Sequence, residues 1–354
     1  MIKEWDFVRV IASLSIVLLH ATTRIAKVNG HIENDFYQVF RILLTASTAV
    51  FILLSIIIIS HIYKNRLPND FIRKRIKYIL LPFLFFAIVY AYYNGIIEGS
   101  GNFYQKLLDN FKGNYVGWFI LPIFQLYLVF WFIKKLNIDK NIIVIGLMSV
   151  GVFYLWTLNN GQPNGFFINL KLQVLFPLWL VYFGIAYFIG NYYKKFSQFL
   201  EKKYTFILII VLFTLSILLV TFNFNNGNHS VNSRRIDLIP YVTMLSILLL
   251  YIGKRIPHLF IIRYLSKYAF GIYLLHWLIQ QIIAPYFAEF NNVFLQVSSL
   301  FFVSLILSII TINLIKFIPL NKFMIGNIKP QPSLFNNIID NLKLIFKNKT
   351  HSKL

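Results

Sequence analysis

Ten runs of mostly apolar residues, bounded by charge or by Asn, Gly and Pro, divide the chain at 7–23, 40–60, 78–94, 117–133, 141–158, 172–190, 205–222, 238–253, 265–286 and 295–315. Most approach the roughly 20 residues that an α-helix needs to cross a bilayer. The pattern predicts an all-α integral membrane protein of about ten transmembrane helices, with the membrane domain at 1–316. The segment 317–354 reads differently. Within Ser333–Lys347, Leu334, Phe335, Ile338, Ile339, Leu342, Ile345 and Phe346 recur at helical spacing, with Lys343 and Lys347 off the stripe. This predicts a basic tail with an interfacial helix, the alternative being a disordered basic tail.

Composition narrows the class. Of 354 residues, 58% are hydrophobic and 13% charged, and short connections between the spans leave no room for a sizeable soluble domain. The net charge of +22 would suit nucleic acid if it were spread over one face. It is instead gathered at the ends of apolar runs, so membrane topology accounts for it and nucleic acid is not an expected partner. The absence of cysteine removes disulfides, thiolate metal sites and a cysteine acyl-enzyme. Residues 1–6 are too short and acidic for a signal n-region, so the first helix is expected to be retained.

Orientation follows from the cations. With a cytoplasmic N-terminus, the inside segments hold 24 Lys and Arg and the outside segments 7. That bias predicts an even number of spans with both termini in the cytoplasm, as in a multi-pass protein of the plasma membrane. No pair of broken helices repeats between the halves, which lowers the expectation of a secondary transporter.

The first run, WDFVRVIASLSIVLLH, places Asp6, Arg9, Ser13, Ile16 and His20 at steps of three or four. Arg9 and His20 are close to three helical turns apart, so they share a face at roughly 16 Å separation. A cation and an imidazole on one face of a spanning helix require a partner or a water-filled cavity. The alternative has Arg9 snorkelling to the headgroups beside Asp6 while His20 marks the far interface. The ninth run, YLSKYAFGIYLLHWLIQQ, aligns Ser266, Ala269, Tyr273, His276 and Gln280 in the same way. Tyr273 and His276 are candidate substrate-binding residues, or a packing histidine and its neighbour. Residues 71–78, FIRKRIKY, bring Arg73 and Arg75 to the mouth of the third run, where they can hold phosphates or simply anchor the helix. His31, His229, His258 and His351 are scattered without metal-ligand spacing, so no metal is expected. Asp237 after Arg234 and Arg235 reads as a cap or an ion pair.

At these residues the sequence resembles the acyltransferase 3 family of membrane-bound O-acyltransferases. Asp6, Arg9 and His20 fall in register on the family's D-x-L-R motif and its following histidine. Phe51 to Ser55 is similar to F-x-x-S-G, with Ile56 for the glycine; Arg75, Tyr78, Ile79 and Pro82 resemble the basic R-x-x-(R/K)-I-x-x-P segment with altered spacing. Trp118-Phe119-Ile120 resembles H-L-W-F-L with Val116 for the histidine, and Phe270 to His276 resembles F-x-I-Y-L-x-H. Tyr187 and Gly190 fit a sixth-helix pattern in which Ala186 replaces a glycine. Within the family the resemblance is strongest to the intercellular adhesion C branch, which acts on poly-N-acetylglucosamine.

The resemblance implies transfer of an acyl group, acetyl or succinyl-like, from cytoplasmic acyl-CoA to a hydroxyl of a cell-surface polysaccharide or glycan. Acyl-CoA is then a donor substrate and no bound cofactor is expected. Arg9 and His20 become the catalytic candidates, with Arg73, Arg75, Tyr273, His276, Trp118, Ser13 and Asp6 as substrate-binding candidates. Two rivals remain: an exporter or flippase of a polysaccharide or lipid-linked sugar, and a signalling or structural membrane protein.

Overall fold

The described residues of the ten apolar runs are almost wholly helical, because a backbone in hydrocarbon must satisfy its own N–H and C=O groups. The structure is a computed structural model that describes residues 2–30, 34–136, 139–160 and 174–328. The tail helix expected at 333–347, His31 and His351 lie outside the described residues.

In chain order the helices are α1 (Lys3–Asn29), α2 (Asp35–Ile62), α3 (Phe71–Ile97), the short amphipathic α4 (Phe103–Phe111) and α5 (Ile120–Lys135). They continue as α6 (Lys140–Asn160), α7 (Leu180–Asn191), α8 (Tyr193–Glu201), α9 (Lys203–Asn225), α10 (Leu238–Arg255), α11 (Phe260–Ala288), α12 (Val293–Ile315) and the single turn α13 (Lys322–Ile325). Eight helical segments are long and apolar enough to cross a membrane among the described residues. The other two runs depart for physical reasons. The sixth, Phe176–Asn191, is short. The ninth, α11, is 29 residues long but carries Arg263, Lys267, His276, Gln280 and Gln281. α1 reaches 27 residues, beyond the expected 7–23.

Burial separates the centre from the rim. The apolar stretch of α2 is 72% buried inside the protein, against 17% for α6 and 22% for α9. α2 is therefore an axis, while α6 and α9 present Ile, Leu, Val and Phe side chains outward, as lipid-facing helices do. Small residues set the closest approaches. A Cβ on Gly190 of α7 would lie 2.6 Å from the Ile57 carbonyl oxygen of α2, and one on Gly253 of α10 would lie 2.9 Å from the Glu4 Cα of α1. Helices in lipid lack a hydrophobic drive to associate, so such close backbone contact is a main source of their attraction.

The relation of α1 to α11 positions the site. Arg9 bonds Ser266 and Arg24 bonds Gln281, both across a separation of 257 residues, and Asn29 bonds the Ala288 carbonyl across 259. A nearly constant offset along two helices means that they run parallel and in register for most of their length. Helix α3 contains π turns at Ile76–Leu80 and Tyr93–Ile97. The first precedes Pro82, which has no N–H with which to continue the regular ladder.

The Arg235–Asp237 pair, read from sequence as a cap or an ion pair, is a buried bidentate ion pair before α10. Arg235 Nε donates to Asp237 Oδ1 at 3.0 Å and Nη2 to Oδ2 at 2.6 Å, while Nη1 donates to the Asn228 carbonyl at 2.6 Å. Asp237 makes no side-chain cap bond to α10. Removing one partner would leave a buried charge uncompensated, so Asp237→Ala is expected to destabilise the protein by about 3–5 kcal/mol. A thermal melt in detergent checks this: an unchanged midpoint would assign the pair no structural role.

Candidate functional site

Polar side chains line the α1–α11 seam at three levels. At the first, near the helix N-termini, Asp6 is fully buried. Its Oδ1 accepts from Arg9 Nη1 at 3.0 Å and from Ser266 Oγ at 2.6 Å, and its Oδ2 lies 3.1 Å from His258 Nε2. Arg9 Nη1 also donates to Ser266 Oγ at 2.7 Å. Shared hydrogen bonds of this kind meet the requirement that intramembrane charge be paired. Asp6 is thus a positioning group that fixes the guanidinium, and Arg9 is held by the bundle rather than snorkelling. His258, which the spacing of histidines left without a role, reaches this carboxylate from the segment before α11.

Arg9 faces a cavity of about 440 Å³ lined by Ile2, Trp5, Arg9, Ile58, His61 and Ile62. Trp5, His61 and Tyr193 meet edge to face on its side, with centroids 5.2 to 5.6 Å apart. The Tyr193 hydroxyl donates to Glu4 Oε1 at 3.0 Å. Burial, reinforced by the adjacent Glu4 carboxylate, pushes the Tyr193 phenol up, so it keeps its proton and remains a donor.

The expected phosphate cluster divides. Arg73 is exposed, whereas the Arg75 guanidinium lies 4.7 Å over Phe71 and 4.9 Å over Tyr127. Arg75 is thus drawn against the aromatic side chains of the bundle, and Arg73 stands outside it.

At the second level His20 meets His276. Their rings stack with centroids 5.2 Å apart and planes inclined by 28°, and Trp277 packs edge-on to His20 at 4.7 Å. His276 is fully buried and its Nδ1 lies 2.8 Å from the Ile272 carbonyl oxygen. A carbonyl only accepts, so Nδ1 carries the proton and Nε2 of the neutral ring has the lone pair. Among the described residues neither His276 Nε2 nor His20 Nδ1 has a hydrogen-bond partner, and buried Ser13 Oγ likewise has none. Tyr273 packs 6.1 Å from His276 and donates to the Val116 carbonyl. Val116 stands where the motif has histidine, and it contributes backbone instead. Trp118, two residues on, packs against Phe119 and Trp179. It is not brought against His20.

At the third level Arg24 lies 3.8 Å over the Trp277 ring and donates to Gln281 Oε1 at 2.6 Å. Gln281 in turn bonds Asn94 of α3 at 3.1 Å and Glu98 just beyond the end of that helix. The sequence reading passed over Arg24, Trp277 and Gln281. Helical phase offered a signal: Trp277 and Gln281 are four residues apart, and Arg24 is four beyond His20.

No solved structure matches this chain. The profile of the acyltransferase domain family matches residues 2–313. The Bacillus subtilis (strain 168) protein named "Putative membrane-bound acyltransferase YfiQ" is 32% identical over 294 residues, covering 78% of this chain and 80% of its own. "Probable poly-beta-1,6-N-acetyl-D-glucosamine export protein" of Staphylococcus aureus (strain N315) is 25% identical over 325 residues, covering 86% of this chain and 91% of its own. The Staphylococcus epidermidis protein of the same name is 25% identical over 313 residues, covering 84% and 87%. A match over nearly the whole bundle, with the first and ninth spans meeting in one polar seam, makes this chain a multi-pass member of the acyltransferase 3 family of membrane proteins.

Proposed function

We propose that this protein transfers an acyl group from cytoplasmic acyl-CoA to a hydroxyl of a cell-surface glycan, with both its termini in the cytoplasm of a plasma-membrane-embedded chain. The observation that carries the reading is the α1–α11 seam, which sets a fixed cation at one level and two imidazoles with unpartnered nitrogens at the next. About 16 Å separates Arg9 from His20 along α1, a distance that an extended pantetheine arm can span. Arg75 and the Arg9 cavity receive the donor's phosphates and arm, and Arg73 contributes only long-range attraction.

In the reacting complex the acceptor hydroxyl gives its proton to His20 as its oxygen attacks the thioester carbonyl carbon. The C–O bond forms, the C–S bond breaks, and the departing thiolate takes the proton back from the imidazolium. His20 suits the role because it is only half-buried, whereas His276 is sealed in the core. His276 is a positioning residue: its tautomer is fixed by Ile272 and its ring face holds His20. Tyr273 packs against His276 there, and Ser13 lies about two turns before His20 on α1.

A single observation favours an export reading, the name carried by the staphylococcal relatives. The donor separates the two. An exporter moves glycan without consuming acyl-CoA, whereas the acyltransferase labels the glycan with acyl groups from labelled acetyl-CoA in proteoliposomes.

His20→Ala should lower transfer by about 10²–10⁴-fold while membrane insertion is unchanged. His276→Phe, which keeps a flat ring against His20, should stay within about tenfold of wild type. If His276→Phe lost as much as His20→Ala, the proton would pass through His276 Nε2 and the two roles would be reversed. Ser266→Ala removes one of the bonds holding Arg9 and should raise KM for acyl-CoA more than it lowers kcat. Steady-state kinetics that put the whole loss in kcat would place Arg9 at the reacting carbonyl instead.

A further inference from the structure

Beyond the imidazole pair, the end of the seam nearest Asn29 holds a group of cations that the transfer step does not use. Arg24 is fixed flat on Trp277 by the stack at 3.8 Å and by its bond to Gln281. Lys27 sits over the other reach of the same indole at 5.4 Å and is exposed. Arg41, from α2, is anchored through Nε to Thr22 Oγ1 at 3.2 Å and through Nη2 to Thr23 Oγ1 at 3.3 Å, on the same stretch of α1.

The partners of these cations are neutral oxygens. Among the described residues, no carboxylate lies within ion-pair distance of Arg24, Lys27 or Arg41. The acid at this level, Glu98, bonds the Gln281 amide and attracts Arg24 and Lys27 only from beyond ion-pair distance. The Arg24 Nε–H is buried and has no hydrogen-bond partner. Elsewhere the protein does neutralise buried cations, Arg9 with Asp6 and Arg235 with Asp237. The charge count makes the contrast sharper: cations are sparse on this side of the chain, 7 against 24, yet two of the seven, Arg24 and Lys27, meet on one indole, and Arg41 of α2 bonds the adjoining turn of α1. A guanidinium preorganised on an indole, with a second cation on the same ring and no carboxylate paired to it, has the chemistry that oxyanions select.

We propose that the acceptor is an anionic sugar, bearing a phosphate or carboxylate that Arg24, with Lys27 and Arg41, holds one indole's width from His20. The inference rests on the acyltransfer reading for the word acceptor, and on the cation cluster alone for the selectivity. Trp277 is the spacer. It touches both His20 and Arg24, so a sugar whose charged group sits at Arg24 has a neighbouring hydroxyl beside the imidazole.

The test is equilibrium binding of labelled N-acetylglucosamine, N-acetylglucosamine 1-phosphate and N-acetylmuramic acid to the full chain in detergent, with acyl transfer from acetyl-CoA measured on the same three sugars. One or both anionic sugars should bind at least about tenfold tighter than the neutral one. Arg24→Gln should collapse that ratio, and the control Lys112→Gln should keep it. Whichever anionic sugar gains identifies phosphate or carboxylate as the recognised group. Equal binding of all three, or no detectable binding of any, overturns the inference. So does competition by coenzyme A that Arg24→Gln abolishes, since the cations would then belong to the donor. Charge-selective binding without transfer to any sugar would leave the anion site standing and sink the acyltransferase reading; transfer without charge selectivity would do the reverse.

Discussion

A polar side chain in hydrocarbon has to find its partner inside the protein, and the architecture turns on how one helix pair meets that demand. Neither α1 nor α11 is at ease in lipid alone. α1 carries Asp6, Arg9, Ser13 and His20, and α11 carries Ser266, His276, Gln280 and Gln281. Laid parallel and in register, each supplies what the other lacks: Ser266 for Asp6 and Arg9, His276 for His20, Gln281 for Arg24, and Gln280 for the Val17 carbonyl at 3.0 Å. The remaining helices wrap this pair. α2, α10 and α12 pack on it directly, and α6 and α9 form the rim.

The arrangement also divides labour along the membrane normal. At the Arg9 level the guanidinium is matched by Asp6 and held by Ser266, as befits a group that must aim without moving. At the histidine level one nitrogen of each ring, His20 Nδ1 and His276 Nε2, is left without a partner, which is costly for stability and useful for proton transfer. Proteins concentrate such unmet hydrogen-bonding capacity where chemistry occurs. Ser13, also unpartnered, lies between the two levels and extends the polar track.

Much of this was legible in the sequence, and what was not has a physical explanation. Helical phase alone puts Arg9, Ser13 and His20 on one face, and the same arithmetic finds Tyr273 and His276. Phase cannot say which two faces meet, because that depends on packing between residues some 257 positions apart. His258 looked like one more stray loop histidine until the fold carried it to Asp6. Arg73 and Trp118 stand in the sequence as substrate-binding candidates, but the fold sets Arg73 at the surface and Trp118 against Trp179 rather than beside His20. α11 was legible as a run, and its polarity is the reason it falls below the apolarity of an independent span.

The separation of the two seam helices along the chain has a consequence for how the protein is made. At about 5–20 residues per second, roughly 13–50 s elapse between synthesis of α1 and of α11. During that interval Arg9 has only Asp6 of its own helix to hold it, and His20 lacks His276. Assembly is thus committed late: a chain halted anywhere before α11 exposes an unsatisfied polar face, a mark by which a quality-control protease can tell an unfinished product from a finished one.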